Sequence, residues 1–166
     1  MAFDAFLKLE GGPNVKGAAK AKGFQDQIEI YSFSWGASNP ISMDSGAGMG
    51  AGKVSISSFN FMKKSDAASP LLFQACCTGD HYGTATVTLR KAGGQQVEFL
   101  QYKFSEVFVE SLQWSGSSGG DDTPTESVSL AFGKVEMTYT PQDEKGGKGA
   151  AVVGGWDLHQ VTKAGA

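Results

Sequence analysis

The sequence predicts a mainly β protein that closes, or nearly closes, into a barrel, with one short α-helix and a long extended loop. Three observations predict it. Apolar and polar residues alternate with period two through most of the chain. Gly supplies 23 of the 166 residues and charged residues only 19%, a composition suited to strands and turns. Two stretches in the second half are too long for ordinary strands and must bend. With 40% apolar residues and 11 Phe, the chain can close one sizeable core, so residues 1–166 read as a single domain.

The elements follow in order. Residues 3–9 alternate as a short strand, and residues 11–23 form a Gly/Lys/Ala-rich loop. In the second strand Ile28 and Ile30 share one face, whereas Tyr31, Phe33 and Trp35 are apolar on the other. The inward face therefore switches near Ser32, as at a bulge or barrel corner. A Gly-rich arm leads into a strand over residues 53–62. Residues 69–79 read as the helix, with Ser69 suited to the cap, Pro70 to the first turn and Gly79 to the stop. Its apolar stripe is Leu71, Leu72, Ala75 and Cys76. Strands over 84–91 and 96–114 flank the turn Ala92, Gly93, Gly94, Gln95 as a hairpin. The second of these bends near Ser105 and passes through two sheets. Residues 126–139 repeat the device, with Val128, Leu130 and Phe132 on one face, Val135, Met137 and Tyr139 on the other, and Gly133 between. Loops over 115–124 and 143–155 precede a final anchoring strand at Trp156, Asp157 and Leu158.

The run from Gly46 to Lys53 mimics a phosphate-binding loop and fails as one. A Walker loop needs Gly five residues before Gly52 and a hydroxyl after Lys53, but Ala47 and Val54 stand there. A dinucleotide fingerprint fails at Ala51 and Lys53, and strand-like Val54 to Ser57 follows where a helix should start. What is left is a nearly side-chain-free segment, costly to order, that gains its order from a partner. Cys76 and Cys77 are neighbours on a helix and point apart, so they read as small apolar residues. A nucleophile from that pair with His81 and Asp80 would require consecutive residues to converge, and no oxyanion device accompanies it. His159 stands alone, and Asp121 with Asp122 suits a solvated turn. The expectation is a non-enzyme with no catalytic residues, no cofactor and no metal. A net charge of −3 gives no general pull toward nucleic acid or anionic membrane. No run approaches the roughly 20 apolar residues of a membrane span. The first ten residues do not form a secretory signal, so synthesis in the cytoplasm is expected.

Three strands carry uncharged hydroxyl faces: Ser32 and Ser34; Ser55 and Ser57; Thr84, Thr86 and Thr88. Each is either an ordinary solvent face or a surface turned toward a confined aqueous space. Residue type alone does not separate the two.

The order of motifs resembles the haemolysin-coregulated protein (Hcp) family, the tube-forming component of bacterial type VI secretion. The residues are Asp4, Phe6, Leu7 and Lys8; Ile28, Glu29 and Ile30 leading to Ser34, Trp35 and Gly36; Gly52, Lys53 and Val54; Ser69, Pro70 and Leu71 with Ala75, Cys76 and Gly79; then His81, Tyr82 and Arg90 to Gly94; Glu126, Val128, Leu130 and Phe132; Tyr139, Pro141 and Gln142; and Gly155 with Trp156. The resemblance implies a two-sheet β-barrel with a flanking helix, and six copies closing into a ring. Rings would stack into an inner tube within a contractile sheath, with a spike at the tip and small effector proteins carried inside. It implies export by the type VI route without a cleaved signal peptide. It places Ser32 and Ser34 toward the lumen and turns Trp35 inward. Ser45, Gly46, Gly48, Met49, Gly50 and Gly52 are the candidate inter-subunit or ring-stacking loop, with residues 115–122 and 143–149 as further stacking loops. The alternative reading is a small-ligand-binding β-barrel, which would need a polar-lined cavity where the inward faces read as apolar filling.

Overall fold

The computed structural model describes residues 2–43, 50–93, 96–120 and 122–165. Period-two alternation becomes strand as expected. The strands are β1 (Phe3–Glu10), β2 (Ile28–Ile30), β3 (Ser32–Ser34), β4 (Ala37–Ser38), β5 (Ile41–Ser42), β6 (Gly50–Ala51), β7 (Ser55–Ile56), β8 (Phe59–Lys64), β9 (His81–Lys91), β10 (Glu98–Ser115), β11 (Thr125–Ala131), β12 (Lys134–Tyr139), β13 (Val152–Asp157) and β14 (Thr162–Lys163). One helix, α1 (Ser69–Thr78), lies between β8 and β9.

All pairings are antiparallel. Ten strands join into one sheet, and β4 with β7 and β5 with β6 form two separate two-stranded ribbons. The expected division of the barrel into two sheets is therefore not how the ladders are arranged. β9 lies between β1 and β10, β1 pairs β2, and β10 leads through β11 and β8 to β3. Only Tyr31 separates β2 from β3, and its N–H donates to Met62 O at 2.9 Å. The face switch read near Ser32 is this transfer: Ile28 and Ile30 are buried under β1, then Phe33 and Trp35 turn into the core while Tyr31 is left exposed.

The long strand bends where its partner changes. β10 pairs β12 up to Ser105 and β11 from Phe108 onward, and Glu106 between them has φ 55°. A register shift between Val109 and Ser111 adds a bulge. β11 and β12 mirror the bend around Gly133, whose N–H donates to Ser105 O at 3.0 Å. A Cβ at Gly133 would meet Glu106 Oε2 and His159 Nε2 at 2.5 Å, so the bare backbone lets those two side chains close over the bend.

The helix stops as predicted, with Gly79 at φ 74° and its N–H on Ala75 O. Its start differs from the expectation. Ser69 is not the cap; Ala68 is, with no side-chain cap bond, because the Ser69 hydroxyl is used by the buried groups beneath it. Leu72 and Ala75 reach the core and Cys76 half does, but Leu71 remains on the surface. The strand expected over 53–62 breaks at Ser57 and Ser58. The tail holds two strands where one was expected, β13 and β14. Residues 11–27 cover the outer side of β1 with Ala19 and Phe24 on Phe6. Arg90 stacks on Phe6 and Phe24 at 5.1 and 5.2 Å, clamping that loop down.

The interior is filled. Phe59, Phe61, Tyr82, Val87, Phe104, Val128 and Leu130 are buried, and Trp35 stands edge-on to Tyr102 and Phe104 at 5.2 and 5.6 Å. Trp35 thus faces inward. Among the described residues no helix is long and apolar enough to cross a membrane.

Candidate functional site

Ser32 and Ser34 alternate with Phe33, which packs inward, so both hydroxyls stand on the outer face of β3. Strand pairing extends that face. Ser32 lies opposite Met62, Met62 opposite Ser127 and Ser127 opposite Gln113. Ser34 begins a second row through Asn60, Ser129 and Ser111. The two rows contain no charged side chain. Asn60 accepts a hydrogen bond from the Ser129 hydroxyl and donates to Ser58 O at 3.2 Å. A shallow depression of about 230 Å³ lies over Ser32, Ser34, Asn60, Met62 and Ser127. Within the two rows such a surface stays wet through short hydroxyls and amides with no ion to grip a passing molecule, and the charges of Lys64 and Glu110 stand at its borders. Asn60, Met62, Ser111, Gln113, Ser127 and Ser129 were not singled out from the sequence. Their signal was there: Ser127 and Ser129 fall out of phase with apolar Val128 and Leu130.

The other hydroxyl strands do not join this face. Thr84 lies opposite Glu10 of β1, and Thr86 opposite Lys8 of β1 and Lys103 of β10, in an ordinary mixed-charge exterior, whereas Thr88 is buried opposite Phe6 and Gln101. Ser55 pairs Ser38 in the arm, and the Ser57 hydroxyl accepts the Gly36 N–H at 2.8 Å.

That bond is the base of the arm, closed further by Ser57 N–H to Gly36 O at 2.9 Å. Two ribbons follow, β4 with β7 and then β5 with β6, with Gly52 N–H donating to Pro40 O between them. Of the six arm residues singled out, Ser45, Gly46, Gly48 and Met49 lie outside the described residues. Gly50 lies in β6 opposite Ser42, and Gly52 is close-packed, since a Cβ there would meet Pro40 Cγ at 2.7 Å. Ile41 and Met43 are 64% and 73% exposed.

A buried ionic cluster sits under the start of α1. Lys63 and Glu126 are both 0% exposed and form a hydrogen-bonded ion pair between β8 and β11. Lys63 Nζ also reaches Asp66 Oδ1 at 2.9 Å and Ser69 Oγ at 3.0 Å. Glu126 accepts from Ser69 at 2.9 Å, from Ser65 at 3.3 Å and from the Trp114 indole. Burial pushes the Glu126 carboxyl up, but the Lys63, Ser69 and Trp114 donors and the Lys63 charge outweigh it, and the group titrates below its ordinary value. The sequence carried a signal here too. Lys63 is in phase with Phe59 and Phe61, and Glu126 with Val128 and Leu130, so each charge sits on a strand's inward face.

The nucleophile considered from the sequence is not assembled. Cys76 and Cys77 are free thiols, Asp80 accepts the Thr78 hydroxyl at 2.7 Å, and His81 leans on Phe108 at 5.7 Å. Among the described residues no group of three His, Cys, Asp or Glu side chains is placed to hold a metal.

The chain resembles known proteins in sequence and fold. Residues 6–139 match the family model described as "Type VI secretion system effector, Hcp". The chain is 43% identical to "Protein hcp1" of Pseudomonas aeruginosa, over 99% of this chain and all of that one. Among solved structures, that of a type six secretion system protein superposes with a TM-score of 0.91 at 34% identity, covering 98% of this chain and 100% of the other. Hcp1 from Salmonella typhimurium gives 0.81 at 30% identity, covering 99% and 100%. By sequence along its whole length and by fold, this chain belongs to the Hcp family of type VI secretion proteins.

Proposed function

We propose that this chain is the repeating structural subunit of a type VI secretion tube, secreted by that route and acting without catalysis. Residues 1–166 serve as one domain. Six copies close into a ring through unlike surfaces, and rings stack into the tube that a contractile sheath drives outward behind a spike. Ser32 and Ser34 face the lumen, and the rows of Ser, Asn, Met and Gln beside them form its wall. Small effector proteins are carried there, held weakly enough to be released. The arm bearing Ser45, Gly46, Gly48, Met49, Gly50 and Gly52 reaches a neighbouring copy. Synthesis is cytoplasmic, and export proceeds without a cleaved signal peptide.

The observation that carries this reading is the uncharged face running from Ser32 and Ser34 through Asn60, Met62, Ser127 and Ser129. An ordinary solvated sheet mixes in Lys and Glu, as this chain does around Thr86. Membership of the Hcp family supports it independently. The test is the mass in solution together with electron microscopy of the full chain. A hexamer with an open centre is expected, and a monomer at high concentration with no rings on the grid overturns the proposal.

A further inference from the structure

The arm and the helix each leave apolar surface uncovered, and their chemistry matches. The ten residues of α1 include none that is charged. Its outer side carries Leu71, Phe73 at 52% exposed, and the exposed Cys77. Phe73 stands edge-on to Trp114 with ring centroids 5.8 Å apart, and these two with Pro70 wall a groove of about 340 Å³. The polar groups at its floor, Glu126, Ser65 and Ser69, are already hydrogen-bonded within the ionic cluster. An occupant therefore finds apolar contact and no polar group free to answer it. A charged side chain entering there would lose its hydration without gaining a counter-ion.

Residues 37–43 of the arm are also uncharged, in a chain where charged residues make up 19%. Ile41 and Met43 are the exposed large apolar side chains among the arm's described residues, Ile56 being packed against the core. Methionine, with three rotatable bonds, adapts to an irregular groove.

We infer that the arm of one copy docks Ile41 and Met43 into the Phe73–Trp114 groove of a second copy. The inference rests on the tube-subunit reading and names one of its contacts. Knob and hole lie on different elements, so the contact can repeat head to tail around or along an assembly, each copy giving one and receiving one. A single such contact is small, which suits an assembly held by many repeats acting together.

The test begins with wild-type assembly by light scattering and microscopy. Absence of assembly overturns both this contact and the tube-subunit reading. Given assembly, ¹⁴N- and ¹⁵N-labelled full-length Met43→Cys protein is mixed and treated with a short bismaleimide. Mixed-isotope peptides joining position 43 to the native Cys77 thiol are expected, with a ladder of linked species. Phe73→Asp and Met43→Asp should each keep the β circular-dichroism spectrum and each raise the concentration needed for assembly about tenfold or more, as the loss of one buried apolar side chain predicts. The double variant should add little to either single one. Links joining position 43 only to itself, links only within one copy, or unchanged assembly in Phe73→Asp overturn the contact and leave the tube-subunit reading standing. A Phe73→Asp protein that assembles normally but no longer binds sheath likewise overturns it and assigns the groove to that partner.

Discussion

Lys63 and Glu126 show what a single pair can hold in place. Their ion pair ties β8 to β11, while Ser69 and Asp66 tie the start of α1 to the same two charges. Replacing such a pair with apolar groups can be neutral, but removing one partner strands the other. Glu126→Ala leaves Asp66 for Lys63 but deprives the Trp114 indole of its acceptor. We expect a loss of about 3 kcal/mol, the lower part of the range for a broken buried pair, read from urea denaturation. Acid should expose the same group. The folded carboxyl titrates below 4.5, so it contributes stability above that pH, and the contribution is lost as pH falls through the folded pKa. The urea midpoint of the wild type should fall on acidification below about pH 4.5, and Glu126→Gln should lack that component. A Glu126→Gln protein with an unaltered acid profile would remove this role from Glu126.

At the scale of elements, what a glycine holds depends on whether a Cβ there would meet backbone or movable side-chain ends. Gly155 on β13 is the tightest case in the tail: a Cβ would meet Val135 O and Ala164 O at 2.6 Å, and both are backbone atoms that cannot swing away. Gly155→Ala should therefore free residues 152–163 from β12, giving faster amide exchange there while β9 and β10 stay protected. Unchanged exchange in the tail would show that the backbone absorbs the methyl group. Gly133 is the milder neighbour, since its Cβ would meet only the ends of the Glu106 and His159 side chains, an exposed pair at 2.8 Å. Gly133→Ala should break that contact yet cost under about 1 kcal/mol, since exposed polar side-chain contacts contribute little. Thermal melting of the two variants side by side separates the cases.

At the scale of the whole molecule, the uncharged rows and the mixed-charge rows lie on different parts of one sheet, and the difference is functional if the former line a channel. Ser34→Arg puts a long cation on the uncharged face at an exposed position, so the fold should survive, and the proposed ring with it. Retention of a co-expressed effector should change. Identical retention in pull-downs with wild type and variant would take Ser34 out of the channel wall.

Much of this was legible in the chain itself. Alternation located β1 and β9 and set Val128 and Leu130 on the inward face of β11, Gly79 ended the helix, and Gly133 marked the bend, because each depends on contacts a few residues apart. The phase slip between Ile30 and Phe33 gave the transfer of a strand from β1 to β8 for the same reason. What alternation leaves open is which strand lies beside which. Three hydroxyl strands looked equivalent, but Ser32 and Ser34 met Asn60, Met62 and Ser127, while Thr86 met Lys8 and Lys103. Ser69 had the local character of a helix cap, and partners brought from β8 and β11 took its hydroxyl instead. Side-chain period and turn chemistry are local properties written residue by residue; the neighbours that give a face its charge, or a buried Lys its Glu 63 positions away, are fixed only when distant strands pair.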